Sequence, residues 1–97
     1  MRKTKTRHYD AAEQLDSPEE IAAYIEAALE DGDPRVIAHA LGTVARARGM
    51  SDIARKTGLG RESLYKALSP DGNPSLATVL KVVHALGVRL NAEPAGR

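Results

Sequence analysis

With 97 residues and no cysteine, the chain has room for one modest hydrophobic core and none for a disulfide framework or a thiolate metal site. Three tyrosines are its only aromatic side chains, so the core must be built from Leu, Ile, Val and many Ala, a composition that favours closely packed helices. A net charge of +1 hides a strong asymmetry: residues 1–8 carry +4, residues 9–33 carry −9 with no Lys or Arg, and residues 34–97 carry +6. Such a distribution points to a basic surface for a polyanion and an acidic one for a basic protein, although acidic helices are also simply soluble. No run approaches the ~20 apolar residues of a spanning helix, and the opening residues lack the apolar stretch of a signal peptide. A cytoplasmic protein without a membrane contact is expected.

Residues 1–8 form a basic tail that either touches DNA phosphate or is a solvated end. Asp10 can cap a short turn through Ala11 to Leu15, an optional sixth helix. The first secure helix begins at Ser17. Ser17 and Glu20 fit a capping box, Pro18 sits where its missing N–H costs nothing, and Glu19 and Glu20 oppose the positive end of the helix dipole. Ile21, Tyr24, Ile25, Ala28 and Leu29 recur at three- and four-residue intervals and predict a buried face. Gly32 ends this helix, and Asp33 and Pro34 start the next with almost no linker.

The second helix extends to about Arg48, with Ile37, Leu41, Val44 and Ala45 inward and Gly49 as its stop. Gly42 lies inside it, where glycine costs ~1 kcal/mol relative to alanine, so close approach of a neighbouring backbone is the expected reason. His39 has no Cys, His or carboxylate at metal-ligand spacing, and neither His8 nor His84 is better placed. No metal, cofactor or catalytic residue is expected. There is also no phosphate-binding glycine loop of the GxGxxG or GxxxxGK kind, so the chain is read as doing no chemistry.

Residues 51–68, SDIARKTGLGRESLYKAL, have the pattern of a helix-turn-helix. Ser51 and Asp52 are expected to cap its first helix, Ile53 and Ala54 to face inward, Gly58 to turn the chain and Leu59 to anchor the turn. Leu64 and Leu68 stand four apart on the core side of a second helix starting near Gly60, while Arg61, Glu62, Ser63, Tyr65 and Lys66 point elsewhere. Two such helices suit the DNA major groove, which makes Arg61, Glu62, Tyr65 and Lys66 the candidate base readers. Arg61 suits guanine O6 and N7 in bidentate fashion, and Glu62 suits the cytosine N4 donor. Ser63 serves a base or a phosphate; Glu62 and Lys66 have a purely structural alternative as an ion pair one turn apart. Phosphate anchoring is expected from Arg55, Lys56, Ser69, Asn73 and the amides of helix starts.

Residues 69–74, SPDGNP, are a turn by composition, and Asn73 with Pro74 bars helix before Ser75 caps the last one. There Leu76, Val79, Leu80, Val83 and Leu86 make an apolar stripe ending at Gly87. Val82 lies off that stripe, either against a second subunit or as an inconsequential exposed valine. Residues 88–91 suit a short strand, and residues 92–97 a frayed tail.

The helix-turn-helix stretch, with Ala54, Gly58, Leu59, Leu64 and Leu68 in place, resembles the phage-repressor (Cro/C1, or XRE) superfamily. Extended through GNPSLATVLKVVHALGVRL, it is similar to the antidote, or antitoxin, proteins of HigA-type addiction modules over about residues 9–90. One departure stands out: several phage repressors place a phosphate-binding Gln where this chain has Met50, so Ser51 supplies that contact, Arg46 and Arg48 compensate, or it is lost.

The expected architecture is therefore all-α: a compact bundle of five helices, or six with the N-terminal turn. One domain over residues 9–91 would include an acidic extension at 9–33 and be flanked by tails at 1–8 and 92–97. The resemblance implies an antitoxin that neutralises a RelE/HigB-like toxin and represses its own operon by binding operator DNA. Two reading heads about 34 Å apart would make it a homodimer. Charge assigns Glu19, Glu20, Glu26 and Glu30 to the toxin, since RNA-cleaving toxins of that kind are usually basic. A stand-alone XRE-type repressor, with its N-terminal helices serving dimerisation, is the alternative.

Overall fold

A computed structural model describes residue 15 and residues 17–95 of the chain. Those residues hold five α-helices and no strand: α1 (Pro18–Asp31), α2 (Pro34–Arg48), α3 (Met50–Thr57), α4 (Arg61–Ala67) and α5 (Leu76–Ala85). Helix α1 packs on α2, α2 on α3 and α5, and α3 on both α4 and α5. The fold is thus an all-helical bundle, as composition and periodicity predict.

Three helix starts follow from local chemistry. The Ser17 hydroxyl accepts the Glu20 N–H at 3.2 Å, Asp33 accepts the Arg35 N–H at 2.9 Å, and Ser75 accepts the Thr78 N–H at 3.1 Å. Each satisfies an N–H that the first turn leaves without an intrahelical acceptor. At the other ends Gly32, Gly49, Gly58 and Gly87 all have positive φ. After α5 the Gly87 N–H reaches the His84 carbonyl and the Val88 N–H reaches the Val83 carbonyl, closing the helix with a Schellman motif. Residues 88–91 continue from that turn without forming the expected strand: they pair as a strand with no other described segment, and Val88 and Leu90 pack against the helical core instead.

One core joins Leu15, Ile21 and Ile25 to Leu41 and Val44 of α2, Met50 and Ile53 of α3, Leu64 and Leu68 around α4, and Val82, Val83 and Leu86 of α5. Three expectations change here. Helix α3 begins at Met50, not after Ser51 and Asp52: Met50 is buried, so the helix starts early enough to carry it into the core, with Gly49 serving both α2 and α3. Val82 is fully buried, whereas Leu76 on the expected stripe is 71% exposed. Helix α5 is apolar on most sides, and packing on α2 and α3 selects Val79, Val82, Val83 and Leu86, an equally regular spacing, as the inner face. Leu29, at the edge of the α1 stripe, stands 39% exposed. The short turn expected from Asp10 to Leu15 lies outside the described residues except for Leu15, which is buried.

Candidate nucleic-acid interface

Between α3 and α4 the chain turns within three residues. Gly58, at φ +77°, donates its N–H to the Ala54 carbonyl at 2.9 Å, ending α3 in the left-handed conformation. The Thr57 hydroxyl donates to the Ile53 carbonyl at 2.8 Å and accepts the Leu59 N–H at 3.2 Å, so one side chain ties both sides of the turn. Leu59 packs against the core from there. Thr57 escaped the sequence reading because its role depends on the turn's geometry, not on a pattern of apolar residues.

Helix α4 is placed by what it buries. Leu64 is wholly inside and Leu68, just past the last turn, is 1% exposed. The Leu68 carbonyl approaches α2 at Gly42, where an added Cβ would lie 2.7 Å from that oxygen. The close approach expected of Gly42 is therefore present. On the far side of α4, residues 69–74 fold back so tightly that a Cβ on Gly72 would stand 2.1 Å from the Ala67 carbonyl oxygen. A second glycine thus fixes α4, one that sequence composition marked only as part of a turn.

With Leu64 inward, Arg61, Glu62, Ser63, Tyr65 and Lys66 are all exposed. The Arg61 guanidinium lies over the Tyr65 ring, 5.6 Å from its centroid, a cation–π pairing that holds two of the five candidates together. Among the described residues neither Glu62 nor Lys66 makes an ion pair, so the structural alternative for these two does not form. The row offers guanidinium, ammonium and hydroxyl donors with one carboxylate acceptor, the functional groups that read base edges.

The phosphate candidates are less uniform. Arg55 and Lys56 both pair with Asp52 on the same helix, Lys56 at 3.3 Å. Lys56 first, and then Arg55, hold the Asp52 carboxyl below the usual aspartate range. Lys56 also lines an open hollow of about 590 Å³ with Lys81 and His84, adding a cation that sequence reasoning did not assign. The Ser69 hydroxyl donates to the Lys66 carbonyl at 2.9 Å, closing the end of α4, so its proton is already engaged. Ser51 and Asn73 are exposed. Met50 is turned into the core, which leaves Ser51 as the outward side chain at the start of α3.

The acidic set lies elsewhere. Glu19, Glu26 and Glu30 recur along one exposed side of α1 beside residues 88–95, while Glu20 sits next to the cap made by Ser17. These carboxylates thus stand on a different element from Arg55 and Lys56 of α3 and Arg61 and Lys66 of α4.

A family model described as "Probable addiction module antidote protein" matches residues 5–94. The chain belongs to this family. The chain is also similar to a Haemophilus influenzae (strain ATCC 51907 / DSM 11121 / KW20 / Rd) protein, described as an uncharacterized protein, at 48% identity over 87 residues, 90% of each chain. No solved structure matches. An antidote of an addiction module acts on a toxin, so membership implies a toxin partner of some kind, and the family itself is not an enzyme family. Among the described residues no helix is long and apolar enough to cross a membrane.

Proposed function

We propose that this chain is the antitoxin of a type II toxin–antitoxin module, that it binds and neutralises a RelE/HigB-like toxin, and that it represses its own operon by binding operator DNA. One observation carries the DNA half: a chain of the antidote family turns Arg61, Glu62, Ser63, Tyr65 and Lys66 outward together while Leu64 is fully buried. In this reading α3 and α4 are the helix-turn-helix of an XRE-type protein, with α4 in the major groove. Arg61 binds guanine O6 and N7, Glu62 accepts from cytosine N4, and Ser63, Tyr65 and Lys66 complete the row. Ser51, Arg55, Lys56 and Asn73 position the duplex through phosphate; Ser69 joins them only by giving up its bond to Lys66. A homodimer presents two such heads to a two-fold operator. Glu19, Glu20, Glu26 and Glu30 on α1 face the toxin.

Co-expression with the product of a small reading frame adjoining its own gene tests the toxin half of the reading. Arrest of growth by that product alone, relief by the antidote and co-purification of the two are expected. A product that is harmless, or that arrests growth regardless of the antidote, would leave a repressor without a toxin.

A further inference from the structure

An open trough runs beside α1, and the chain beyond α5 forms its other wall. It consists of two adjoining hollows that share Ala22, Val88 and Arg89, the larger of about 740 Å³. Helix α1 has 14 residues, so the trough follows an element about 20 Å long. Ile25, Leu29, Val88 and Leu90 give the larger hollow its apolar lining, and Leu29 is one of the few large apolar side chains left exposed among the described residues. Glu26, Glu30 and Glu93 also line it, and Arg89 is the single base among the described lining residues.

We infer that this trough seats a basic amphipathic segment of the toxin, its apolar row against Leu29 and Leu90 and its Lys or Arg side chains against Glu26, Glu30 and Glu93. The inference rests on the antitoxin reading and deepens it, because it makes residues 88–95 part of the toxin-binding surface and assigns affinity to an apolar floor. Exposed ion pairs contribute little by themselves, whereas removing Leu29 from water contributes in proportion to area. Charge selects the occupant. A second copy of this chain docked by the same face would set acidic lining against acidic lining. The chain's own basic block, residues 1–8, contains one apolar residue, Met1, and cannot fill the floor with a row.

Calorimetric titration with the purified product of the adjacent reading frame tests the inference, using wild type, Leu29→Lys, Leu90→Asp and a chain lacking residues 1–8. Thermal unfolding and binding to the DNA upstream of the gene serve as folding controls. Leu29→Lys and Leu90→Asp are each expected to weaken binding tenfold or more, and Leu29→Lys, at an exposed position, to leave both controls unchanged. Binding within twofold of wild type in both variants would overturn the trough even if the toxin binds, since charge alone would then suffice. Deletion of residues 1–8 that lowers the unfolding temperature and abolishes the Leu29→Lys effect would make that block the occupant and overturn it too. A product that does not bind wild type removes the antitoxin reading and this inference with it.

Discussion

The Leu68 carbonyl oxygen lies 2.7 Å from the point where a Cβ on Gly42 would stand, so the end of α4 rests directly on the backbone of α2. Helix propensity alone favours Gly42→Ala by ~1 kcal/mol. The contact opposes it: the Arg46 guanidinium nearby is the end of a flexible side chain and can move, but a backbone carbonyl moves only with its helix. Overpacking of this kind costs about 1–3 kcal/mol, so we expect net destabilisation by urea unfolding. A more stable Gly42→Ala protein would contradict the packing.

Thr57 predicts a second stability effect. Thr57→Val keeps the shape but leaves the Leu59 N–H without the hydroxyl that accepts it, and frees the Ile53 carbonyl of a donor. An unpaired, part-buried group of this kind costs about 1–3 kcal/mol. The urea midpoint should fall with little change in slope, and Thr57→Ser should restore most of it.

If Arg55 and Lys56 hold phosphate as proposed, Asp52 couples stability to DNA binding. Its folded pKa is depressed, by Lys56 first and Arg55 next, so its contribution to stability is present above the unfolded aspartate pKa and is lost as pH falls through the lower folded value. Asp52→Asn should therefore be less stable than wild type at neutral pH, with the gap closing in acid. The same substitution releases Arg55 and Lys56, so binding to upstream DNA should tighten and its log–log salt slope steepen by about 0.9 for each further phosphate neutralised. Fluorescence anisotropy over a salt series at neutral pH measures both.

Helix starts and ends were legible because their causes are local. Ser17, Asp33 and Ser75 cap the turns that follow them, and Gly32, Gly49, Gly58 and Gly87 take the positive φ that stops a helix. The start of α3 was not: Ser51 and Asp52 look like caps, but only the core reveals that Met50 must be inside. Helix α5 defeats periodicity for a different reason, being so apolar that Val82 and Leu76 exchange places once α2 and α3 choose its inner face. On the candidate site, the outward row of α4 follows from Leu64 and Leu68 alone. The pairing of Arg55 and Lys56 with Asp52, the engagement of Ser69 and the fit of Gly72 against the end of α4 depend on side-chain rotamers and chain reversal, which composition does not encode.

The most direct test is a salt series of binding to the DNA upstream of the gene, comparing wild type with an Arg61→Ala, Lys66→Ala double variant. Both side chains are exposed, so the variant should fold and unfold like wild type. Wild-type binding should prefer that DNA over unrelated sequence and weaken steeply with salt, and the variant should lose the preference, about 1–3 kcal/mol of it from Arg61. Sequence-specific binding that survives both substitutions, or no binding at all, would contradict the assignment of α4 to the major groove.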